Sequence, residues 1–299
     1  MTRSFLQKLT RRIKEHGTIL CVGIDPPLAC PTTDDLRGSN RQQLLEDLHE
    51  KCVCLIRRTS DFVCCFKPNV AFFEQYGSGG MEVLQRLCRE IPEDIPIILD
   101  AKRAATDEAA EAMANAFYSA YNADCVTLDP YLGEGAILPF IKEKGKGVFV
   151  VCRSSNPRSS DLQGFIVVEG FGAAAGKEDG APVELYMEVA HMCDRARRHR
   201  EPELSKEGGL VGIVVGSTYP KDMKRIRSAF PDLWFLSPGI GAQGGDLAAT
   251  IEAGLRQDGL GLIVNVGRAI SEAKDPGKAA EAFRDEMRQI MRKVTLSAH

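Results

Sequence analysis

At Ile97-Ile98-Leu99-Asp100-Ala101-Lys102 an apolar run ends in a carboxylate and an amine two residues apart. Side chains alternate faces along a strand, so this spacing predicts that Asp100 and Lys102 point to the same side. Opposite charges at the end of a buried strand are costly unless they pair. Once paired, they are suited to moving a proton or stabilising developing charge. An ordinary ion pair closing a strand is the alternative at this point. Lys67, between Cys64-Cys65-Phe66 and Pro68, is placed in a similar way. A lysine there either reaches past its apolar stem to the rim or is held by a carboxylate.

These groups need a frame, and the chain supplies a regular one. Short apolar runs recur at about 18–25, 62–69, 95–102, 124–130, 147–153, 210–216, 233–239 and 262–267. They are near-continuously apolar, as expected of parallel strands covered on both faces. Between them run helical stripes such as Leu44, Leu48, Cys52 and Leu55, and, in the last helix, Phe283, Met287, Ile290, Met291 and Val294. Eight alternating units in 299 residues predict an α/β fold, a single (β/α)8 TIM barrel spanning 1–299. A doubly wound open sheet is the alternative. The one long irregular segment, about 154–181, is rich in Gly and Ser and reads as a lid-like insertion after the fifth strand, or as a plain surface loop.

In such a barrel the C-terminal strand ends share one rim, where catalytic groups gather. Reading only strand ends gives Asp25, Lys67, Asp100 with Lys102, Asp129 and Ser155. The turns after the last two strands are suited to an anion. Pro238-Gly239-Ile240-Gly241-Ala242-Gln243-Gly244-Gly245-Asp246 exposes backbone N–H groups and leads into a helix, and Gly267-Arg268 adds a guanidinium. Gly239-x-Gly241-x-x-Gly244 also fits a dinucleotide fingerprint, but that motif belongs to a first strand–turn–helix with an acidic residue about 20 positions on. Here it falls in the seventh unit, and the next strand ends in Asn265 and Val266.

Composition narrows the classes. A net charge of −3 and a pI near 6.0 argue against a general nucleic-acid binder. The basic cluster Arg195, Arg197, Arg198, His199 and Arg200 ends a helical pattern, where solvated charges would complement the helix dipole. No run of about 18 apolar residues spans a membrane. The basic N-terminal stretch lacks a signal-peptide core and reads as a first helix closing the barrel bottom, with a transit peptide the alternative. Ten cysteines form no Cys-x-x-Cys pair and five histidines show no ligand spacing, so no metal site is expected and the thiols read as free, in a reducing cytoplasm.

The motifs together resemble the orotidine 5′-monophosphate (OMP) decarboxylase family, specifically its longer branch, across essentially the whole chain. The resemblance rests on Cys21-Val22-Gly23-Ile24-Asp25-Pro26, Phe66-Lys67-Pro68-Asn69, Asp100-Ala101-Lys102-Arg103, Asp129-Pro130-Tyr131-Leu132-Gly133, Cys152-Arg153-Ser154-Ser155-Asn156-Pro157, Pro238 to Asp246, and Gly267-Arg268. It implies cofactor-free conversion of OMP to UMP in pyrimidine synthesis, by a cytoplasmic homodimer with active sites at the subunit boundary. On matching positions it implies that Asp25 and Lys67 hold the ribose hydroxyls, with Lys67 also part of the catalytic charged array, and that Ser155 contacts the pyrimidine. Gln243 and Arg268, with the turns at Pro238 and Gly267, would bind the 5′-phosphate. Asp100 would orient Lys102, and Lys102 would protonate the carbanion at C6.

The chain departs from the family pattern Asp-x-Lys-x-x-Asp, which continues with Ile and then Thr and reaches into the neighbouring subunit's site. Ala105, Thr106 and Ala109 stand at those positions. Asp107 and Glu108 are out of register and read as first-turn acids of a helix. Asp129 stands where the family more often has an uncharged residue. Impaired decarboxylation and a catalytically degenerate nucleotide binder are therefore both open from sequence. A third option is Schiff-base chemistry at Lys102 or Lys67, which a protonated, carboxylate-flanked lysine disfavours.

Overall fold

The computed structural model describes residues 3–26, 31–32, 35–36, 38–168 and 182–296, the side chain of Asp107 excepted. Eight parallel strands form the frame. They are β1 (Leu20–Ile24), β2 (Cys65–Pro68), β3 (Ile98–Arg103), β4 (Cys125–Leu128), β5 (Gly147–Arg153), β6 (Leu210–Val215), β7 (Trp234–Pro238) and β8 (Leu262–Val266). Each falls inside or within a residue of its apolar run. Val, Ile, Leu, Phe and Cys dominate them because both faces are covered, and most of these side chains are buried.

Pairing runs in sequence order from β3 to β8, and β8 returns to β1, which pairs with β2. The seam between β2 and β3 is held by bridges Phe66–Ile97 and Asn69–Asp100 and by the Phe66 N–H donating to the Pro96 carbonyl at 3.0 Å. The sheet thus meets itself. The open doubly wound alternative fails on that observation.

The first helix, Phe5–His16, lies under the barrel. A Ser4/Gln7 capping box starts it, and Gly17 in the left-handed conformation ends it. Phe5 N–H donates to the Gly145 carbonyl at 2.8 Å, and Leu6 N–H to Gly208 at 3.2 Å, both just before strands begin. The fully buried Phe5 ring packs edge-on against Phe149, 6.4 Å between centroids. Gly147 is required there, since a Cβ would sit 2.4 Å from that ring. The expected bottom closure is what these contacts produce.

Two expectations are refined. The 154–181 segment is not wholly irregular: Ser160–Gln163 is a helical turn, and Ile166–Val167 pairs antiparallel with Val183–Glu184. Its remainder, 169–181, lies outside the described residues. The basic cluster is no free, solvated cap, because Arg197 and Arg198 both pair with the buried Asp194 while Arg195 reaches Glu134. Nine described cysteines are free thiols, and all but Cys54 are buried. Among the described residues no helix is long and apolar enough to cross a membrane.

Candidate active site

One cleft opens at the C-terminal ends of the strands. Of the residues singled out from sequence its walls include Asp25 after β1, Lys67 on β2, Asp100 and Lys102 on β3, Ser155 after β5, Pro238 and Gln243 at and after β7, and Gly267 and Arg268 after β8, but not Asp129. These groups come from the ends of six different strands, β1, β2, β3, β5, β7 and β8, so the barrel, not local sequence, brings them together.

At its base Asp100 is nearly buried and pinned between two ammoniums. Lys67 Nζ donates to Oδ2 and Lys102 Nζ to Oδ1, each at 2.5 Å. Burial opposes charge on both members of the inner pair. The fields of Lys67 and Lys102 nevertheless hold the Asp100 carboxyl well below its usual range. Desolvation would likewise lower Lys67, but Asp100 and Asp25 outweigh it and keep the buried amine protonated, with a pKa above its usual value. Lys67 is 4% exposed, and the Lys102 side chain is half exposed to the cleft.

The Asp100–Lys102 convergence is real, but plain strand alternation does not produce it. The β3–β4 register shifts between Leu99 and Arg103, and Lys102 has φ +45°, a left-handed conformation that a non-glycine residue adopts at a cost. A bulge turns the chain there, and the lysine folds back onto its neighbour.

Asp25 faces the same cleft from the end of β1, two strands from Asp100 and close enough to Lys67 to act on its charge. Its Oδ2 lies so close to Gly267 that a Cβ there would sit 2.9 Å away. Its Oδ1 is buried with no hydrogen-bond partner among the described residues. Ser155 is buried, while Gln243 and Arg268 are exposed at the mouth.

The glycine turn is built as expected, with Gly239, Gly241 and Gly244 all at positive φ. One part of the anion reading is corrected. The helix after it, Leu247–Gly254, has its N-terminus closed by Asp246, whose carboxylate accepts from the Ala249 N–H at 2.9 Å. That carboxylate occupies the helix end and would repel an anion there. Asp129 is a second correction. It lines a neighbouring, more apolar cleft and accepts from the Tyr131 N–H at 2.8 Å, stabilising its own turn.

Sequence reading missed several walls of the cleft: Asn69, Thr127, Asn265 and an apolar floor of Val151, Val214 and Leu236. A signal for two of them existed. Thr127 and Asn265 are polar interruptions of otherwise apolar strands. Among the described residues no group of three or more His, Cys, Asp or Glu side chains could hold a metal.

Residues 18–283 match the orotidine 5′-phosphate decarboxylase / HUMPS family. The chain belongs to that family. It is 40% identical over 288 residues to orotidine 5′-phosphate decarboxylase of Roseiflexus castenholzii, covering 96% of each chain. Among solved structures, OMP decarboxylase of Leishmania donovani superposes with a TM-score of 0.76 at 34% identity, covering 97% of this chain and 99% of that one. A Toxoplasma gondii protein described as a candidate orotidine-monophosphate decarboxylase gives 0.87 at 34% identity over 100% and 99%. Membership makes the departure at Ala105 more pointed. Ala105 packs partly buried against the core, Thr106 precedes the helix Asp107–Asn115 without a side-chain cap, and Ala109 and Glu108 are exposed. No carboxylate stands at the family motif's second acidic position in this OMP decarboxylase relative.

Proposed function

We propose that the protein decarboxylates orotidine 5′-monophosphate to UMP, without metal or organic cofactor, in pyrimidine synthesis. The observation that supports this most is the ammonium–carboxylate–ammonium array at the base of a cleft whose mouth carries Arg268 and Gln243. The two groups line one and the same cleft, as a nucleotide held by its phosphate with its ring over the array requires.

The chemistry follows from charge. Breaking the bond from C6 to the carboxylate releases CO₂ and leaves an electron pair on C6. The Lys102 ammonium stabilises that pair as it forms and then donates a proton to it. Asp100 keeps Lys102 in place and, facing the substrate carboxylate, makes the ground state less comfortable than the product. The gain is largest where negative charge develops, which is the condition for lowering the barrier. Lys67 and Asp25 hold the ribose hydroxyls, Ser155 contacts the pyrimidine, and the Pro238 and Gly267 turns position the phosphate between Gln243 and Arg268. Phosphate binding far from C6 contributes energy to ordering the array. A lysine kept protonated as Lys67 is makes a poor Schiff-base nucleophile, which disfavours the aldolase-like reading.

The protein acts on a small nucleotide, not on nucleic acid or at a membrane, as one barrel domain in the cytoplasm, and forms a homodimer. Arg268→Ala is expected to weaken UMP binding by about 10- to 100-fold, since a charge-assisted phosphate contact is worth roughly 1.5–3 kcal/mol. Isothermal titration measures it.

Ala105 favours a second reading, a nucleotide binder with little or no turnover. The two readings separate by following loss of OMP absorbance with purified protein. Turnover is expected, and Ala105→Asp is expected to raise kcat by about 10²-fold, the usual worth of one preorganised electrostatic group. No turnover by either form, with UMP still bound, would leave the binding reading standing in its place.

A further inference from the structure

We infer that Thr127 is a positioning residue for the Lys102 ammonium: its hydroxyl fixes both the backbone and the counter-ion of that lysine. The inference rests on the decarboxylase reading for its kinetic consequence and on geometry alone for the placement.

Thr127 lies on β4 and is buried, between Val126 and Leu128. Its Oγ1 donates to Asp100 Oδ1 at 2.9 Å, the same oxygen that receives Lys102 Nζ. It also accepts from the Lys102 backbone N–H at 3.0 Å. One hydroxyl therefore uses its single donor and one of its acceptor sites on the two residues that must stay aligned.

The need for such a clamp is visible at Lys102. Its φ of +45° is unfavourable for a residue with a side chain, and such conformations persist only where surrounding contacts hold them. The ladder between β3 and β4 has shifted register at this point, so the strand pairing that would normally receive the Lys102 N–H is lost. Thr127 replaces it. The Lys102 side chain is half exposed, so its apolar stem is not gripped by packing. Its place depends on the backbone and on Asp100, and Thr127 touches both. Asp100 itself would survive loss of the hydroxyl, because Lys67 still holds Oδ2.

The test uses Thr127→Val, which keeps the β-branched shape without the hydroxyl, and Thr127→Ser, which restores it. Turnover, UMP affinity, thermal midpoint and amide hydrogen exchange at Lys102 are measured on each. Thr127→Val is expected to lower kcat by roughly 10- to 100-fold, as loss of about 1.4–2.7 kcal/mol of transition-state positioning would, while UMP affinity stays within about threefold. Exchange at the Lys102 amide should accelerate at least about tenfold, with Leu99 and Val126 unchanged. Thr127→Ser should recover both.

Unchanged Lys102 exchange in Thr127→Val overturns the inference, as does a kcat loss that Thr127→Ser fails to repair. The exchange arm needs no substrate. Wild-type protein with no OMP turnover would therefore count against the proposed reaction alone, and exchange would still decide the placement of Lys102.

Discussion

Lys102→Met is expected to reduce OMP turnover by at least about 10³-fold while UMP affinity stays within about threefold. The size follows from two roles held by one nitrogen. Proton donation by a positioned acid contributes about 10²–10⁴-fold, and a preorganised charge beside a developing one about 10²–10³-fold. Methionine keeps the length and most of the stem volume, so the cleft is not reshaped. The phosphate and ribose contacts proposed for Arg268, Gln243, Asp25 and Lys67 come from other strands and are untouched. The loss should therefore appear in kcat with the product complex intact, the pattern of an interaction made only in the transition state. Absorbance kinetics and UMP titration on the same preparation read both. A variant that lost UMP binding in parallel with turnover would place Lys102 among the ligand-holding groups instead.

Asp100→Ala is expected to lower stability more than any other substitution in the cleft, by about 3–5 kcal/mol, or roughly 6–20 °C in Tm. The reason is what it leaves behind. Lys67 is 4% exposed and donates to Asp100 at 2.5 Å, so truncation strands a buried ammonium with only Asp25 nearby. The sign of the pH effect differs between the two proteins. In the native chain, the folded Lys67 pKa is raised, so its contribution is complete below the unfolded value of about 10.4 and is lost as pH rises through the folded one. The depressed Asp100 contributes fully above about 3.9, and its share is lost as pH falls through the folded value. Between those limits the native pair is flat with pH. In the variant, desolvation dominates and pulls the Lys67 pKa below 10.4. The unfolded state then binds more protons, and stability rises with pH. The deficit measured by denaturant unfolding should thus shrink from pH 7 toward pH 10. A gap constant over that range would mean that Asp25, or water, already satisfies the stranded amine.

The barrel was legible because its signal is redundant. Eight apolar runs carry the same pattern, and each observed strand lies within or next to its run. The cleft was legible because parallel topology converts "last residue of a strand" into "same rim", so Asp25, Lys67, Asp100, Ser155 and Arg268 could be grouped before any coordinate. Local deviations were not legible. Nothing in Asp100-Ala101-Lys102 announces a left-handed lysine, because the bulge depends on how β3 meets β4 and on a threonine 25 residues away. The Asp246 cap was written in the sequence as an Asp before Leu247-Ala248-Ala249, and reading the glycines for their amides alone passed over it. Asp129 failed as a rim residue for a related reason: its side chain turned back to its own loop, a choice available to any short carboxylate near a Pro.

The stopper beneath the barrel bears on how the chain assembles. Phe5 and Leu6 precede every strand of the barrel, yet the carbonyls they bind belong to Gly145 and Gly208, just ahead of the fifth and sixth strands. The Phe5 ring is therefore seated only when segments well over a hundred residues further along the chain have come together beneath it. Closing the lower mouth thus rests on contacts of long sequence separation, the kind that is slow to form.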